Sequence, residues 1–317
     1  MSDRSNGRAE SPERDRGPWP RLGMHVSITG GLARMAERAR DFGCETVQVF
    51  SRSPRGGRAR PLTPEEVAAM RDALDASGIH PLVIHTPYFV NLVSKDDRLR
   101  EYAVQTLAEE MERAALLGSP YVVTHLGRPA QGVGREEALE LALGSVGRAL
   151  EAADTRGASV RLLLENTSGQ DRELGADLEE LALLVGRLEE DFPERVGACL
   201  DTCHAHAAGY DLGSREGVRE FARLAASLFG RERVRVVHVN DSVAPAGSRR
   251  DRHAHVGGGT IGTEGFRALL AEPFLRGCPF ILETPGGDRE RAVDLDRLKG
   301  LRHRAWKDRA AGEEAAP

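Results

Sequence analysis

PLVIH, residues 81–85, is an apolar run of strand length that ends in a side chain able to bind a metal, and the chain repeats the arrangement five more times. YVVTH ends at His125, RLLLE at Glu165, GACLD at Asp201, VRVVH at His238 and FILE at Glu283. Apolar strands in regular succession, separated by helix-length stretches, imply parallel pairing through crossover helices. Strands are expected near 22–27, 46–50, 81–85, 121–125, 161–165, 196–201, 234–239 and 280–283. Helices are expected near 30–42, 64–77, 97–117, 134–154, 177–190, 215–229, 263–271 and 288–303. Eight strand–helix units predict a closed (β/α)8 TIM barrel, in which residues at the C-terminal strand ends face one common mouth. An open doubly wound sheet is the alternative, but GGGTIG (257–262) has no preceding strand of the right kind and reads as a turn rather than a phosphate loop.

Composition agrees with a single domain. The chain has 317 residues, 40% hydrophobic and 29% charged, enough for a large core. A barrel takes about 250 residues, so a single domain over 21–303 is expected. A charged, Pro- and Gly-containing tail would cover 1–20 and a flexible tail 304–317. No run of about 18 uncharged apolar residues is present, and the N-terminus lacks the apolar centre of a signal peptide, which predicts a cytoplasmic protein. Cys44, Cys199, Cys203 and Cys278 have no disulfide-framework spacing and read as reduced core thiols. A net charge of −5 does not mark a nucleic-acid binder by itself.

The strand-end residues set the chemistry. A lone histidine at a strand end usually belongs to the core; six acids or imidazoles in succession do not fit that reading. The loops add His204, three residues after Asp201, and the pair Asp251 and His253, which an extended backbone places on one face. Five imidazoles and four carboxylates exceed the three or four ligands of one zinc ion and suit two or three ions. Mixed nitrogen and oxygen donors favour zinc, with manganese or iron as the other candidates. Three divalent ions against four carboxylates leave a local charge of about +2, attractive to an anion. Paired ions are a standard device for phosphoryl displacement, so phosphodiester hydrolysis is the expected reaction.

The segments HTPYFVNL (85–92), LLENTSGQ (163–170), CLDTCHAHAAGYD (199–211), HVND (238–241), SRRDRHAHVGGGTIG (248–262) and ILET (281–284) resemble endonuclease IV. That family comprises apurinic/apyrimidinic (AP) endonucleases of base-excision repair, and the likeness runs from GMHVS (23–27) to about residue 285. The resemblance implies a trinuclear zinc centre, with manganese or iron admitted at one site. His85 and His125 would hold one ion, bridged by Glu165 to a second that Asp201, His238 and Glu283 complete; His204, Asp251 and His253 would hold the third. It implies cleavage 5′ to an abasic site in double-stranded DNA, trimming of blocked 3′ ends, and Glu165 as the bridge that orients the attacking water or acts as base. Arg55, Tyr88 and Phe89 would enter the DNA. Gly57 replaces a customary Trp, Gly258 a customary acid and His206 a customary aromatic.

Asn240, His255 and His25 are the candidates for support around the ligands, Asn240 also for a phosphate contact; His206 is expected to pack. A metal-dependent sugar isomerase or epimerase on the same barrel is the rival function, although it leaves His204, Asp251 and His253 without a task. A non-catalytic binder of damaged DNA would be expected to lack some of the ligands, and none is missing. A monomer suits an enzyme that must wrap a bent duplex.

Overall fold

In the computed structural model, which describes residues 19–314 and their side chains as far as 308, eight parallel strands close into a barrel. They are β1 (Leu22–His25), β2 (Thr46–Phe50), β3 (Leu82–His85), β4 (Tyr121–Thr124), β5 (Arg161–Glu165), β6 (Val196–Asp201), β7 (Val234–His238) and, after a two-stranded excursion, β10 (Phe280–Leu282). The excursion pairs β8 (Asp241–Ser242) with β9 (His253–Ala254) antiparallel. Around the barrel lie α1 (Leu32–Asp41), α2 (Pro64–Ala76), α3 (Asp97–Leu117), α4 (Arg135–Thr155), α5 (Leu178–Asp191), α7 (Arg215–Arg233), α8 (Gly262–Ala271) and α9 (Asp288–Glu314), while the short α6 (Thr202–Ala208) sits at the mouth.

Local chemistry explains the helix starts. Thr63 and Glu66 form a reciprocal capping box ahead of Pro64 in α2, and the carboxylates of Asp96 and Asp177 cap α3 and α5. Gly118 ends α3 in a left-handed conformation, φ 79°, that a side chain would strain.

The barrel strands are buried on both faces, as parallel strands covered by helices must be. Val83, Val123, Leu163, Cys199, Val236 and Ile281 form one interior cluster. Each lies two residues before His85, His125, Glu165, Asp201, His238 or Glu283. Because side chains alternate along a strand, the residue two positions on faces the same way, one level higher. The apolar layer is therefore the floor, and the six polar residues stand directly above it. Register staggers them: Glu165 lies opposite Cys199, whereas Asp201 lies opposite His238.

Three expectations change in detail. The tail expected from 304 is helical as far as Glu314, since Ala, Arg, Lys and Glu are strong helix formers, and Asp308 pairs with Arg267. Of the expected N-terminal tail, residues 1–18 lie outside the described residues, but Trp19 packs beneath the Arg276 guanidinium and the Pro20 carbonyl accepts from Arg302 at 2.8 Å. His125 and Glu283 stand one residue beyond their strands rather than within them.

GGGTIG is a turn wrapped around an internal anion. The amides of Gly257, Gly259, Ile261 and Gly262 donate to the carboxylate of buried Asp241 at 2.9–3.3 Å. A carboxylate of the chain itself thus occupies the place a ligand phosphate would take. Among the described residues no helix is long and apolar enough to cross a membrane.

The loop after β2 is anchored from α3. Wholly buried Glu110 accepts from Ser51 at 2.7 Å and pairs with Arg52, while Arg113 donates to the Ser51 hydroxyl at 2.7 Å and to the Arg60 carbonyl at 2.9 Å. Removing one member leaves buried charge uncompensated. Glu110→Ala should lower unfolding stability by about 3–5 kcal/mol in urea titration; a change under about 1 kcal/mol would show that water replaces the carboxylate.

Candidate metal centre

The nine donors expected from the sequence meet at the C-terminal mouth. Glu165 is at the centre: its Oε2 lies 3.1 Å from Nε2 of both His85 and His125, and its Oε1 lies 2.8 Å from Nδ1 of His238 and 3.5 Å from Nδ1 of His204. Glu283 reaches the same His238 nitrogen at 3.2 Å. On the other side, His204 Nε2 lies 3.4 Å from Asp251, and His253 Nε2 lies 3.4 Å from Asp251 and 3.9 Å from Asp201.

Each donor has a local cause. Asp201 ends β6 and caps α6, accepting from the His204 amide at 2.7 Å, which fixes His204 in the first turn of the helix. The hairpin β8–β9 brings Asp251 and His253 back over the mouth, and Gln170 accepts from the Asp251 amide at 3.1 Å. Three imidazoles are oriented by backbone carbonyls: Nδ1–H of His85 donates to Thr86 (2.7 Å), of His204 to Asn166 (2.9 Å) and of His253 to Glu283 (3.1 Å). Their Nε2 atoms then face the cluster.

Metal ions fit this arrangement. His85, Glu165 and His238 offer donor atoms within 4.8 Å of one another, as do Asp201, His204 and His253, and Glu165, Asp201, His238 and Glu283. His253 Nε2 is buried without a hydrogen-bond partner, and a buried polar atom left so is costly unless something else satisfies it. Electrostatics agree. Burial disfavours charge on Glu165, but His125 and His238 hold its pKa well below the usual carboxylate range; for Glu283, burial is likewise outweighed, chiefly by His238. Burial lowers the pKa of His204, yet Asp201 and Asp251 lift it well above the ordinary imidazole value. His238 is raised in the same way against its burial, by Cys199, Glu283 and Glu165.

The surrounding candidates divide. Asn240, considered for a phosphate contact, is fully buried instead: its amide donates to Asp201 Oδ2 at 2.6 Å and its oxygen accepts from the Glu283 amide at 2.7 Å. His25 lies 3.5 Å from Glu283. His255 turns to Asp294 in α9, at 2.7 Å, and is half exposed. His206 is buried and accepts from the Leu212 amide, a packing role. All four cysteines are buried free thiols, and Cys203 lies beside Asp251 and His253.

Two residues were not singled out in the sequence. Gln48, in the middle of β2, donates to Glu283 Oε1 at 2.7 Å and accepts from His238 Nε2 at 2.8 Å. Asn166 brackets the backbone of Asp201, accepting from its amide at 2.6 Å. A polar residue inside the apolar run TVQVF was the only available signal for Gln48.

A cavity of about 890 Å³ opens above the donors and is lined by Arg55, Tyr88, Phe89, His85, His125, His204, Asp251, His253 and Glu283. Tyr88 is 77% exposed, and the Phe89 ring stacks on Tyr102 at 5.4 Å.

Comparison with known proteins agrees with this architecture. The family model AP endonuclease 2, described as a xylose isomerase-like TIM barrel, matches residues 36–303. A probable endonuclease 4 from Methanoculleus marisnigri is 45% identical over 268 residues, covering 84% of this chain and 93% of that one. The crystal structure of endonuclease IV from Thermus thermophilus superposes with a TM-score of 0.78 at 41% identity, covering 89% of this chain and 98% of that one. A D-tagatose 3-epimerase-like protein, 21% identical with a TM-score of 0.68 and coverage of 90% and 99%, shares the fold. Identity above 40% along nearly the whole length of its relatives places this chain in the endonuclease IV family.

Proposed function

We propose that the protein is a zinc-dependent AP endonuclease of base-excision repair, which hydrolyses the phosphodiester 5′ to an abasic site and trims blocked 3′ ends. The observation that carries this reading is the joint presence of nine oxygen and nitrogen donors around one basin, one of them a buried imidazole nitrogen that makes no hydrogen bond. His85 and His125 would hold one zinc ion, Asp201, His238 and Glu283 a second with Glu165 shared between them, and His204, Asp251 and His253 the third. Bound zinc supplies Lewis acidity and lowers the pKa of water.

The chain's own residues account for the rest. Glu165, walled by imidazoles, would orient the attacking water or act as its base. Arg55, exposed at the rim, offers a planar cation for phosphate. Exposed Tyr88 beside Phe89 offers an apolar wedge for the base stack. An abasic nucleotide has no base to unstack, so drawing it into the cavity costs less than flipping an intact one. His204, Asp251 and His253 would be superfluous in a one- or two-ion sugar epimerase, which supports the nuclease over that alternative. Double-stranded DNA is thus the proposed partner, met by a monomer in the cytoplasm.

A duplex carrying one tetrahydrofuran abasic analogue tests the proposal, since the analogue cannot undergo β-elimination. A cut 5′ to the lesion is expected, with Glu165→Gln reducing kcat/KM about 10³-fold, equivalent to about 4 kcal/mol. No cut by zinc-loaded protein would refute the proposed function. Arg55→Ala should weaken duplex binding and reduce the slope of log K against log salt by about 0.9; an unchanged slope would remove Arg55 from the phosphate contacts. Because His204 and His238 retain protons above the usual imidazole range when metal is absent, zinc must displace them. Affinity in chelator competition should therefore rise with pH, about tenfold per unit for each proton released. A flat profile between pH 6 and 8 would show the imidazoles already neutral.

A further inference from the structure

His238 differs from its neighbours in the cluster. His85, His204 and His253 each donate Nδ1–H to a backbone carbonyl and turn Nε2 inward. His238 does the reverse: its Nδ1 faces Glu165 and Glu283, and its Nε2 faces the side chain of Gln48.

The orientation of that amide follows from its partners. A carboxylate facing a metal centre accepts, so the Gln48 group 2.7 Å from Glu283 Oε1 is the NH2. The same NH2 lies 3.2 Å from His25 Nδ1. The carboxamide oxygen is therefore the atom 2.8 Å from His238 Nε2, and because it only accepts, the imidazole proton belongs on Nε2. In the neutral imidazole that a metal ion requires, the remaining proton is thus the one on Nε2, and the Nδ1 lone pair would point to the side of the two carboxylates. Gln48 is wholly buried on β2, so the amide cannot swing out into water.

We propose that Gln48 is a positioning residue of the metal centre, which makes His238 an Nδ1 donor and clamps Glu283 beside it. The inference rests on the metal reading above and adds a residue that never touches the ion. Partners of this kind, which orient ligands from outside, are worth about 10–100-fold in metal affinity or activity. A backbone carbonyl could not serve here, since no carbonyl can also hold a carboxylate.

The test begins with the wild-type chain, labelled with 15N histidine and loaded with zinc. Long-range 1H–15N correlation should show His238 with zinc on Nδ1 and hydrogen on Nε2; the opposite pattern overturns the proposal. Gln48→Met keeps the length but neither donates nor accepts. It should retain the wild-type circular dichroism, lose about 10–100-fold in zinc affinity in chelator competition, and lower kcat on the tetrahydrofuran duplex with KM unchanged. Zinc affinity and a His238 pattern equal to wild type would reduce Gln48 to packing. Gln48→Glu, which still accepts from His238, should keep the His238 pattern while its hold on Glu283 is lost. If it loses the His238 pattern as Gln48→Met does, the assigned hydrogen bond is wrong. Wild-type protein that takes up no zinc would sink the metal reading itself, an outcome distinct from an unaltered Gln48→Met.

Discussion

A carboxylate with no exposure, Glu165, lies within 3.5 Å of imidazole nitrogens from His85, His125, His204 and His238. Taking such a charge out of water costs several kcal/mol, and breaking its pairing costs more than never burying it. The mouth of the barrel is therefore organised around keeping positive charge beside this one group. The raised pKa values of His204 and His238 favour protons that supply this charge, and bound metal would take their place. The same requirement explains why imidazoles around it are held firmly, His85 and His204 by backbone carbonyls and His238 by an amide from another strand.

The barrel makes the clustering possible through its register. Alternation along each strand puts a donor directly above an apolar interior residue, so the arrangement that fills the core also aims the chemistry. This is why the fold and the donors could be read from the same six runs of sequence. His125 and Glu283 lie just past their strands, yet the period-two pattern from Val123 and Ile281 still identifies their direction.

What the sequence did not disclose is held by contacts between distant segments. Gln48 and Glu283 are 235 positions apart, and nothing local in TVQVF tells that its amide will meet a carboxylate from the last strand. Asn240 was visible beside a ligand strand, but only its burial between Asp201 and Glu283 separates support from substrate contact. Helix α6 was hidden because its cap, Asp201, reads equally well as the end of a strand. The continuation of α9 past 303 was missed because a segment rich in small residues resembles a tail in composition, whereas its propensity is helical.

The rim loop that carries Arg55 depends on glycine. Gly56 and Gly57 adopt φ of 99° and 93°, so the loop carrying Arg55 follows a path that a bulky side chain at Gly57 would strain. An aromatic at that position would need a different backbone, not merely an added ring. The apolar surface of the mouth lies instead on the next loop and helix, where Phe89 stacks on Tyr102 and Leu99 is exposed nearby. A barrel shared with an epimerase-like protein does not select a substrate. Selection has to come from the parts that the sheet does not dictate: the hairpin that returns Asp251 and His253, the helix that carries His204, and the rim that a duplex would meet first.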